Sequence, residues 1–388
     1  MALLISLLAF ASLLASPTLS TSLDNNAETT GKKWVGRLKQ ASAPIHVAEG
    51  EFFVNISIGT PPFVQRLFID TDSDLLLANQ CKTTSSSYSQ IKSSSHVCKA
   101  MGGSNSNTNN DVCHYNYQYT SDSTIQVDMA TEAITLDGSV KSTYVVLGCP
   151  TEGENENLGA LGLGRGPLSL VSQLKVKNLA ICLPSYDNPN KTGIVLFGDR
   201  VKTFPNMITT RLLKGSRKPS AHYVRFEGIS VNNVLLNIPI STFAINGDGS
   251  GGVILDTGST MTYFPKSVFD EIAKQIKSKI GLKVVSAPED IGLPLCFDFP
   301  YEISINFKFP SIALHFDAAN KMDLAVGSSF REYNLMQQNM TCLAMAIAPA
   351  SDLGMSSLGN MQLQNTLVVI DLDNRKVLFR PNMECDNM

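Results

Sequence analysis

The chain has 388 residues, is 43% hydrophobic and carries a formal net charge of -3. This length accommodates two domains that each bury a core, and the low charge without a basic stripe argues against a nucleic-acid partner. The five histidines are scattered and no Cys-x-x-Cys pair occurs, so the sequence lacks the ligand spacing of a zinc site and no metal or cofactor is expected.

The N-terminus has the pattern of a secreted precursor. Residues 1–20 hold an apolar run that ends in small residues and are predicted to be a signal peptide. The absence of Lys and Arg before the apolar run departs from the usual signal-peptide pattern, and a short membrane anchor is the alternative on length alone. Residues 21–50 are polar and include a basic stretch at 32–39, which indicates a removable pro-segment or a linker. After signal cleavage no membrane association is expected.

From Glu51 onward, short β-branched and aromatic runs alternate with Gly, Pro, Asn and Ser, a texture typical of a β-rich protein. We predict an N-terminal β lobe at 51–200 and a C-terminal β lobe at 201–388, connected near 198–215. The best helical pattern covers 268–280, where apolar residues share one face and Gly281 follows.

A long-range repeat is the most informative feature. Leu67-Phe-Ile-Asp-Thr-Asp-Ser73 is echoed by Val253-Ile-Leu-Asp-Thr-Gly-Ser259, so that Asp70 and Asp256 lie 186 residues apart, each after an apolar strand. One isolated Asp-Thr-x-Ser is a turn with local Asx hydrogen bonds. Two copies about one domain apart predict two similar lobes that each contribute one carboxylate to a shared cleft.

Two adjacent carboxyls that share one proton can activate water and protonate a carbonyl oxygen, which is what hydrolysis of a peptide bond requires. We therefore predict that Asp70 and Asp256 are catalytic and that the substrate is a polypeptide. Thr71 and Thr257 are expected to tie the two loops together, and Ser73 and Ser259 to hydrogen-bond their neighbouring aspartates. The competing Gly-rich segment at 247–252 precedes a strand, so a surface turn is the better interpretation than a nucleotide site.

The chain resembles the nepenthesin-like plant branch of the pepsin-type aspartic proteases. The stretches that carry this resemblance are 55–62, 161–174, 254–265 and 358–372. The resemblance implies a mostly β, bilobal, pepsin-like acid protease fold with an active-site cleft between the lobes. It also implies a monomeric acid endopeptidase made as a zymogen, secreted to the apoplast or delivered to the vacuole.

The same family carries a tyrosine on a flap hairpin that closes over substrate. Aligned with that flap, Tyr119 is the candidate flap tyrosine, whereas Tyr115 and Tyr117 are better interpreted as ordinary strand aromatics. The glycines of the family's flap turn are absent from 120–123.

The first active-site motif departs from the family at Asp72, where the family has glycine, whereas Gly258 is retained in the second. Asp72 can offer its N–H but adds bulk and charge. At about 6 Å and an effective dielectric constant near 20, a third carboxylate costs roughly 2.8 kcal/mol, or about two pKa units. Either this charge keeps both catalytic carboxyls protonated, or Asp72 points to solvent and is screened. The alternative function is therefore an impaired homologue that acts as a binding or inhibitor protein.

Eight cysteines in a secreted chain predict disulfides. The resemblance implies Cys182 with Cys385 and Cys296 with Cys342, which leaves Cys81 with Cys149 and Cys98 with Cys113. Three Asn-x-Ser/Thr triplets are candidate N-glycosylation sites, at Asn55, Asn190 and Asn339.

Overall fold

The structure is a computed structural model that describes residues 40–48, 50–105, 111–118, 124–136, 143–151, 159–289, 291–300, 306–334 and 339–388. The predicted signal peptide, the basic stretch at 32–39 and Tyr119 lie outside the described residues. Strands are the predominant regular secondary structure of the described part, as the sequence predicts.

The strands are numbered β1 to β28 in chain order. Those before residue 200 are β1 Gln40–Ala48, β2 Glu51–Ile58, β3 Phe63–Asp70, β4 Leu76–Leu77, β5 Ser89–Gln90, β6 Ser104–Asn105, β7 Cys113–Gln118, β8 Thr124–Thr135, β9 Thr143–Pro150, β10 Ala160–Gly162, β11 Asn178–Cys182 and β12 Gly193–Gly198. Those after it are β13 Ile208–Leu213, β14 His222–Val224, β15 Phe226–Val231, β16 Val234–Leu235, β17 Val253–Leu255, β18 Thr262–Phe264, β19 Val284–Val285, β20 Cys296–Asp298, β21 Ile312–Phe316, β22 Lys321–Asp323, β23 Phe330–Asn334, β24 Asn339–Leu343, β25 Met345–Ile347, β26 Ser356–Leu358, β27 Thr366–Asp371 and β28 Lys376–Pro381.

The helices are short except for one. The α-helices are α1 His96–Ala100, α2 Leu170–Gln173, α3 Lys266–Ile280, α4 Val326–Ser329 and α5 Asn360–Leu363, and the 3-10 turns are Ile240–Phe243, Asp317–Ala319, Ala350–Asp352 and Cys385–Asn387. Helix α3 is the helix predicted at 268–280, beginning two residues earlier. Its buried face packs into the core, and Gly281 ends it in the left-handed conformation at φ 68°.

One antiparallel sheet joins the two halves of the chain. Strand β11 pairs with β12 on one side and with β27 on the other, β27 continues to β28, and β28 continues to β13. Strand β1 extends the same sheet beyond β12. Strands of both lobes therefore belong to one sheet. The connection between the lobes at 199–207 has no regular secondary structure.

The sequence repeat is also a structural repeat. Asp70 ends β3, which runs parallel to β10, and Asp256 directly follows β17, which runs parallel to β26. A glycine lies beside each strand end because the backbone approaches closely there. A Cβ on Gly162 would lie 2.5 Å from the carbonyl carbon of Asp74, and one on Gly359 would lie 2.2 Å from the carbonyl oxygen of Met261.

The predicted pro-segment or linker at 21–50 differs from the structure at its C-terminal end. Residues 40–48 form strand β1, which pairs with both β12 and β2, and Ala41, Ala43 and Ile45 are buried. Two of these buried side chains are alanines, which gave the segment no apolar rhythm in the sequence. The folded N-terminal lobe therefore includes residues from Gln40, not only from Glu51.

The role of β1 can be measured with Ile45→Ala. Because Ile45 is fully buried in the sheet, we expect a loss of about 2–4 kcal/mol in the free energy of unfolding, measured by denaturant titration. The matched control is Ile240→Ala, since Ile240 is 47% exposed. Equal, small effects for both variants would show that β1 contributes nothing to the mature fold.

Four disulfides cross-link the fold. They are Cys81–Cys149, Cys98–Cys113, Cys182–Cys385 and Cys296–Cys342, which are the four expected pairs. Cys182–Cys385 ties the end of β11 to the last turn of the chain.

Candidate active site

Reciprocal hydrogen bonds between two threonines join the Asp70 and Asp256 loops. The hydroxyl of Thr71 donates to the carbonyl oxygen of Leu255 at 2.9 Å and accepts from the N–H of Thr257 at 3.1 Å. The hydroxyl of Thr257 donates to the carbonyl oxygen of Ile69 at 2.9 Å and accepts from the N–H of Thr71 at 3.2 Å. Both threonines are buried, so these bonds fix the position of one loop against the other.

Gly258 brings the second loop against the first carboxyl group. A Cβ at this position would lie 3.0 Å from Cγ and from Oδ1 of Asp70. This spacing is tighter than ordinary van der Waals contact, so any larger residue would displace Asp70. The absence of a side chain at Gly258 is therefore what lets the two motifs approach each other.

The two aspartates differ in their hydrogen bonds. Asp256 is buried and accepts from the Ser259 hydroxyl at 2.6 Å and from the Ser259 N–H at 3.1 Å. Asp70 is half-buried and accepts from the backbone N–H of Asp72 at 2.9 Å. The Ser73 side chain also acts on Asp70 as a hydrogen-bond donor, which lowers the pKa of that carboxyl and partly opposes the effect of burial.

Asp72 points toward a lysine of the other half of the chain. The ammonium of Lys218 donates to Oδ2 of Asp72 at 2.7 Å, and the two side chains are 46% and 15% exposed respectively. The other oxygen, Oδ1, is buried without a hydrogen-bond partner within the described residues. Asp72 is thus neither free in solvent nor fully compensated.

Asp74 forms a second link to the same loop. Its Oδ1 accepts from the N–H of Gly166 at 2.7 Å and its Oδ2 accepts from the hydroxyl of Ser220 at 2.6 Å. Burial raises the pKa of Asp74 to about 6, although both hydrogen bonds act in the opposite direction. Lys218 and Ser220 of one short segment therefore bind the carboxylates of Asp72 and Asp74, respectively.

Burial and like charge raise the pKa of both central aspartates. For Asp70, burial followed by the charge of Asp72 raises the pKa to about 6. For Asp256, burial followed by the charges of Asp72 and then Asp70 raises the pKa to about 8. Lys218 acts in the opposite direction on both. Because the two groups interact, their protons are released in two steps that belong to the pair.

Three polar side chains that the sequence did not point to also support the junction between the two Asp loops. The side-chain amide of Asn360 donates to the carbonyl oxygen of Thr257 at 3.2 Å and accepts from the hydroxyl of Tyr186 at 2.7 Å. On the opposite side, the buried His222 ring lies 2.8 Å through Nε2 from the carbonyl oxygen of Leu163, and burial lowers its pKa to about 4. His222 is therefore neutral, and its role is structural.

Other sequence candidates lie elsewhere. Tyr115 and Tyr117 are on β7, paired with β8, and Tyr117 is buried. The Gly-rich segment 247–252 is a turn in which three glycines have positive φ. No group of three or more His, Cys, Asp or Glu side chains with metal-binding geometry occurs among the described residues.

Family models match both halves of the chain. The model described as Xylanase inhibitor N-terminal matches residues 52–199, and the one described as Xylanase inhibitor C-terminal matches residues 221–381. Aspartic proteinase nepenthesin-1 of Nepenthes gracilis is 34% identical over 86% of this chain and 78% of its own length. Nepenthesin-2 of the same plant is 33% identical over 87% and 79%.

A solved structure has the same fold. Basic 7S globulin from soybean superimposes with a TM-score of 0.72, covering 90% of this chain and 99% of that protein at 20% identity. With the structural repeat above, this confirms the predicted mostly β, two-lobed, pepsin-like fold.

Proposed function

Because this chain belongs to the nepenthesin-like plant aspartic proteases, we propose that it is an aspartic-type endopeptidase that uses Asp70 and Asp256 to activate water. In this reaction the deprotonated carboxyl takes a proton from water, the water oxygen attacks the peptide carbonyl carbon, and the protonated carboxyl gives its proton to the carbonyl oxygen. The substrate is a polypeptide. No other reactant is required.

The observation that carries this proposal is the reciprocal threonine contact between the two Asp loops. Four hydrogen bonds of 2.9 to 3.2 Å fix the loops across the lobe junction. Gly258 lies directly against the Asp70 carboxyl. A pair of carboxyls held this close can share one proton, which is the requirement of the mechanism.

The environments of the two carboxyls suggest their roles. Asp256 has the more strongly raised pKa, so it is the better proton donor in the pair, and Asp70 is the better base. The pair lacks a base when both groups are protonated and lacks an acid when both are ionised. Since both pKa values are raised, we propose that the active, singly protonated form extends toward neutral pH.

The test is hydrolysis of denatured globin by the mature protein between pH 3 and 8.5. We expect hydrolysis that pepstatin blocks, with a bell-shaped profile that rises as the pair loses its first proton near pH 6 and falls as it loses the second near pH 8. Folding of each sample is checked by cooperative thermal unfolding. If a folded protein gives no pepstatin-sensitive hydrolysis at any pH in this range, it is not an endopeptidase of this type.

Asp72 favours a second candidate function. Its charge raises the pKa of both members of the pair, and in a chain that lost its base the cleft would remain as a binding surface for a peptide or a partner enzyme. A folded protein that binds pepstatin or peptides without hydrolysing them would support this function over the first.

We also propose that the chain is made as a secreted zymogen and acts as a monomer in the apoplast or the vacuole. Four disulfides are consistent with an oxidising compartment. No helix of the described residues is long and apolar enough to cross a membrane. Asn55 and Asn190 are exposed and Asn339 is half-buried; these three are the proposed glycosylation sites, and Tyr119 is the proposed flap tyrosine.

A further inference from the structure

Lys218 approaches the site from the loop between β13 and β14, which belongs to the other half of the chain from Asp72. Its ammonium is 2.7 Å from Oδ2 of Asp72. A single exposed ion pair of this length adds little to stability. This one differs because Asp72 is only 15% exposed and its backbone N–H is bonded to Asp70.

The backbone around Lys218 is anchored, so the lysine does not depend on its own flexible side chain to reach Asp72. Two residues further along, the Ser220 hydroxyl donates to Asp74 at 2.6 Å. The carbonyl oxygen of Ser220 accepts from the N–H of Arg165 at 2.7 Å, and the N–H of Ala221 donates to the carbonyl oxygen of Lys218 at 3.1 Å. The loop is thereby attached to Asp74 of the first motif and to the backbone of Arg165.

Lys218 is surrounded by acidic groups. The titratable and charged groups that act on Lys218 or on Asp72 are Asp70, Asp74, Asp256, Asp352 and Tyr223. Burial is the largest influence and lowers the pKa of Lys218, but the charges of Asp72, Asp256 and Asp352 and the hydrogen bond to Asp72 together raise it, so Lys218 stays protonated throughout the working pH range. Among these groups Lys218 supplies the positive charge.

We propose that Lys218 is a positioning residue of the catalytic pair: it holds the Asp72 carboxylate and partly offsets the field that this carboxylate imposes on Asp70 and Asp256. Asp72 in place of glycine is then tolerated because a cation from the other lobe accompanies it. This inference rests on the proposed function and adds to it a residue that lies outside both Asp-Thr-x-Ser motifs.

The experiment is a double-mutant cycle of Lys218→Met and Asp72→Asn, read out as the pH profile of globin hydrolysis. Lys218→Met removes a positive charge that lowers the pKa of both aspartates. The rising and falling limbs of the pH profile should therefore both move to higher pH by about one unit. Asp72→Asn keeps the side-chain size but removes the negative charge, so both limbs should move to lower pH by a similar amount. The double variant should return close to the wild-type profile, an outcome that loss of structure does not produce.

Lys214→Met is the matched control, because Lys214 is an exposed lysine of the same loop. It should leave the profile unchanged, and Lys218→Arg, which keeps the charge, should remain near wild type. The proposal is overturned if Lys218→Met moves the limbs no further than Lys214→Met, or if the double variant keeps the shift of either single variant.

A second readout needs no turnover and separates this proposal from the proposed function. Carboxyls with raised pKa in the folded state make stability fall as pH rises from the unfolded-state pKa, and the fall levels off at the folded-state pKa. The levelling pH, measured by thermal unfolding in the same variants, should move up for Lys218→Met and down for Asp72→Asn. If the protein does not hydrolyse globin but shows these shifts, the ion-pair role of Lys218 is supported and the proposed function is not. If the pH at which stability levels off is the same in all variants, the role of Lys218 is overturned.

Discussion

Replacing Asp256 by asparagine is expected to lower kcat/KM for peptide hydrolysis by about a thousandfold or more, because loss of an acid–base group costs 10² to 10⁴. Asparagine has nearly the same shape and can still accept from the Ser259 N–H, which lies 3.1 Å from Oδ1 in the wild type. It cannot hold or release the proton that the mechanism moves. Steady-state kinetics across the active pH range measure the loss.

The same variant should gain stability at neutral pH. The pKa of Asp256 is raised above its ordinary value, so ionisation of the folded protein is disfavoured, and stability falls as pH rises from about 4 toward 8. Asparagine removes this penalty. We expect Asp256→Asn to be more stable than wild type by about 2 kcal/mol or more at pH 8 and little changed at pH 4.

Asp270→Asn is the matched control, because Asp270 lies 55% exposed on α3, paired with Lys266. It should alter neither hydrolysis nor the pH dependence of stability. Pepstatin-sensitive hydrolysis at the wild-type rate by Asp256→Asn would contradict the proposed mechanism.

Thr257→Val is expected to destabilise the fold and to impair catalysis together. Valine has the shape of threonine but lacks the hydroxyl, so the carbonyl oxygen of Ile69 and the N–H of Thr71 lose their partner in a buried junction. We expect a loss of about 2–4 kcal/mol in the free energy of unfolding. Because the two carboxyls are then held less firmly, kcat should fall at least tenfold with a smaller change in KM.

The matched control for this prediction is Thr257→Ser, which keeps the hydroxyl and removes only a methyl group. It should recover most of the stability and most of kcat. If the valine variant behaves like the serine variant in denaturant titration and in kinetics, the hydrogen bonds between the loops do not hold the catalytic pair.

The repeated motif made the centre of the candidate site predictable from the sequence. Asp70 and Asp256 each follow an apolar strand, and the residue after each aspartate is a threonine. Because the same local sequence folds the same way twice, the two loops meet as symmetric copies, and their threonines form equivalent hydrogen bonds. Gly162 and Gly359 also occupy equivalent places, because each lies next to the strand that carries or precedes one of the two aspartates.

The groups that break this symmetry were not predictable. Lys218 belongs to Lys214-Gly-Ser-Arg-Lys218, a basic loop with no periodicity or motif, and only its position in three dimensions identifies its partner. Asp72 occupies the place that Gly258 has in the second motif, and that its carboxylate meets the Lys218 ammonium is visible only in the structure. Strand β1 was missed because its buried residues include two alanines and a serine, which carry no strand signal.

The sheet beneath the lobes also determines what each half would be if it were separated. Strands β11 and β27 come from different halves of the chain and pair over Asn178–Cys182 and Leu367–Asp371. A chain cut in the connection at 199–207 would leave two fragments, each with an unpaired strand of apolar residues along one edge. Such edges template pairing with any strand available, including a second copy of the same fragment. The two lobes therefore complete each other's hydrogen bonding and share a buried apolar cluster, so neither half is expected to stay soluble by itself.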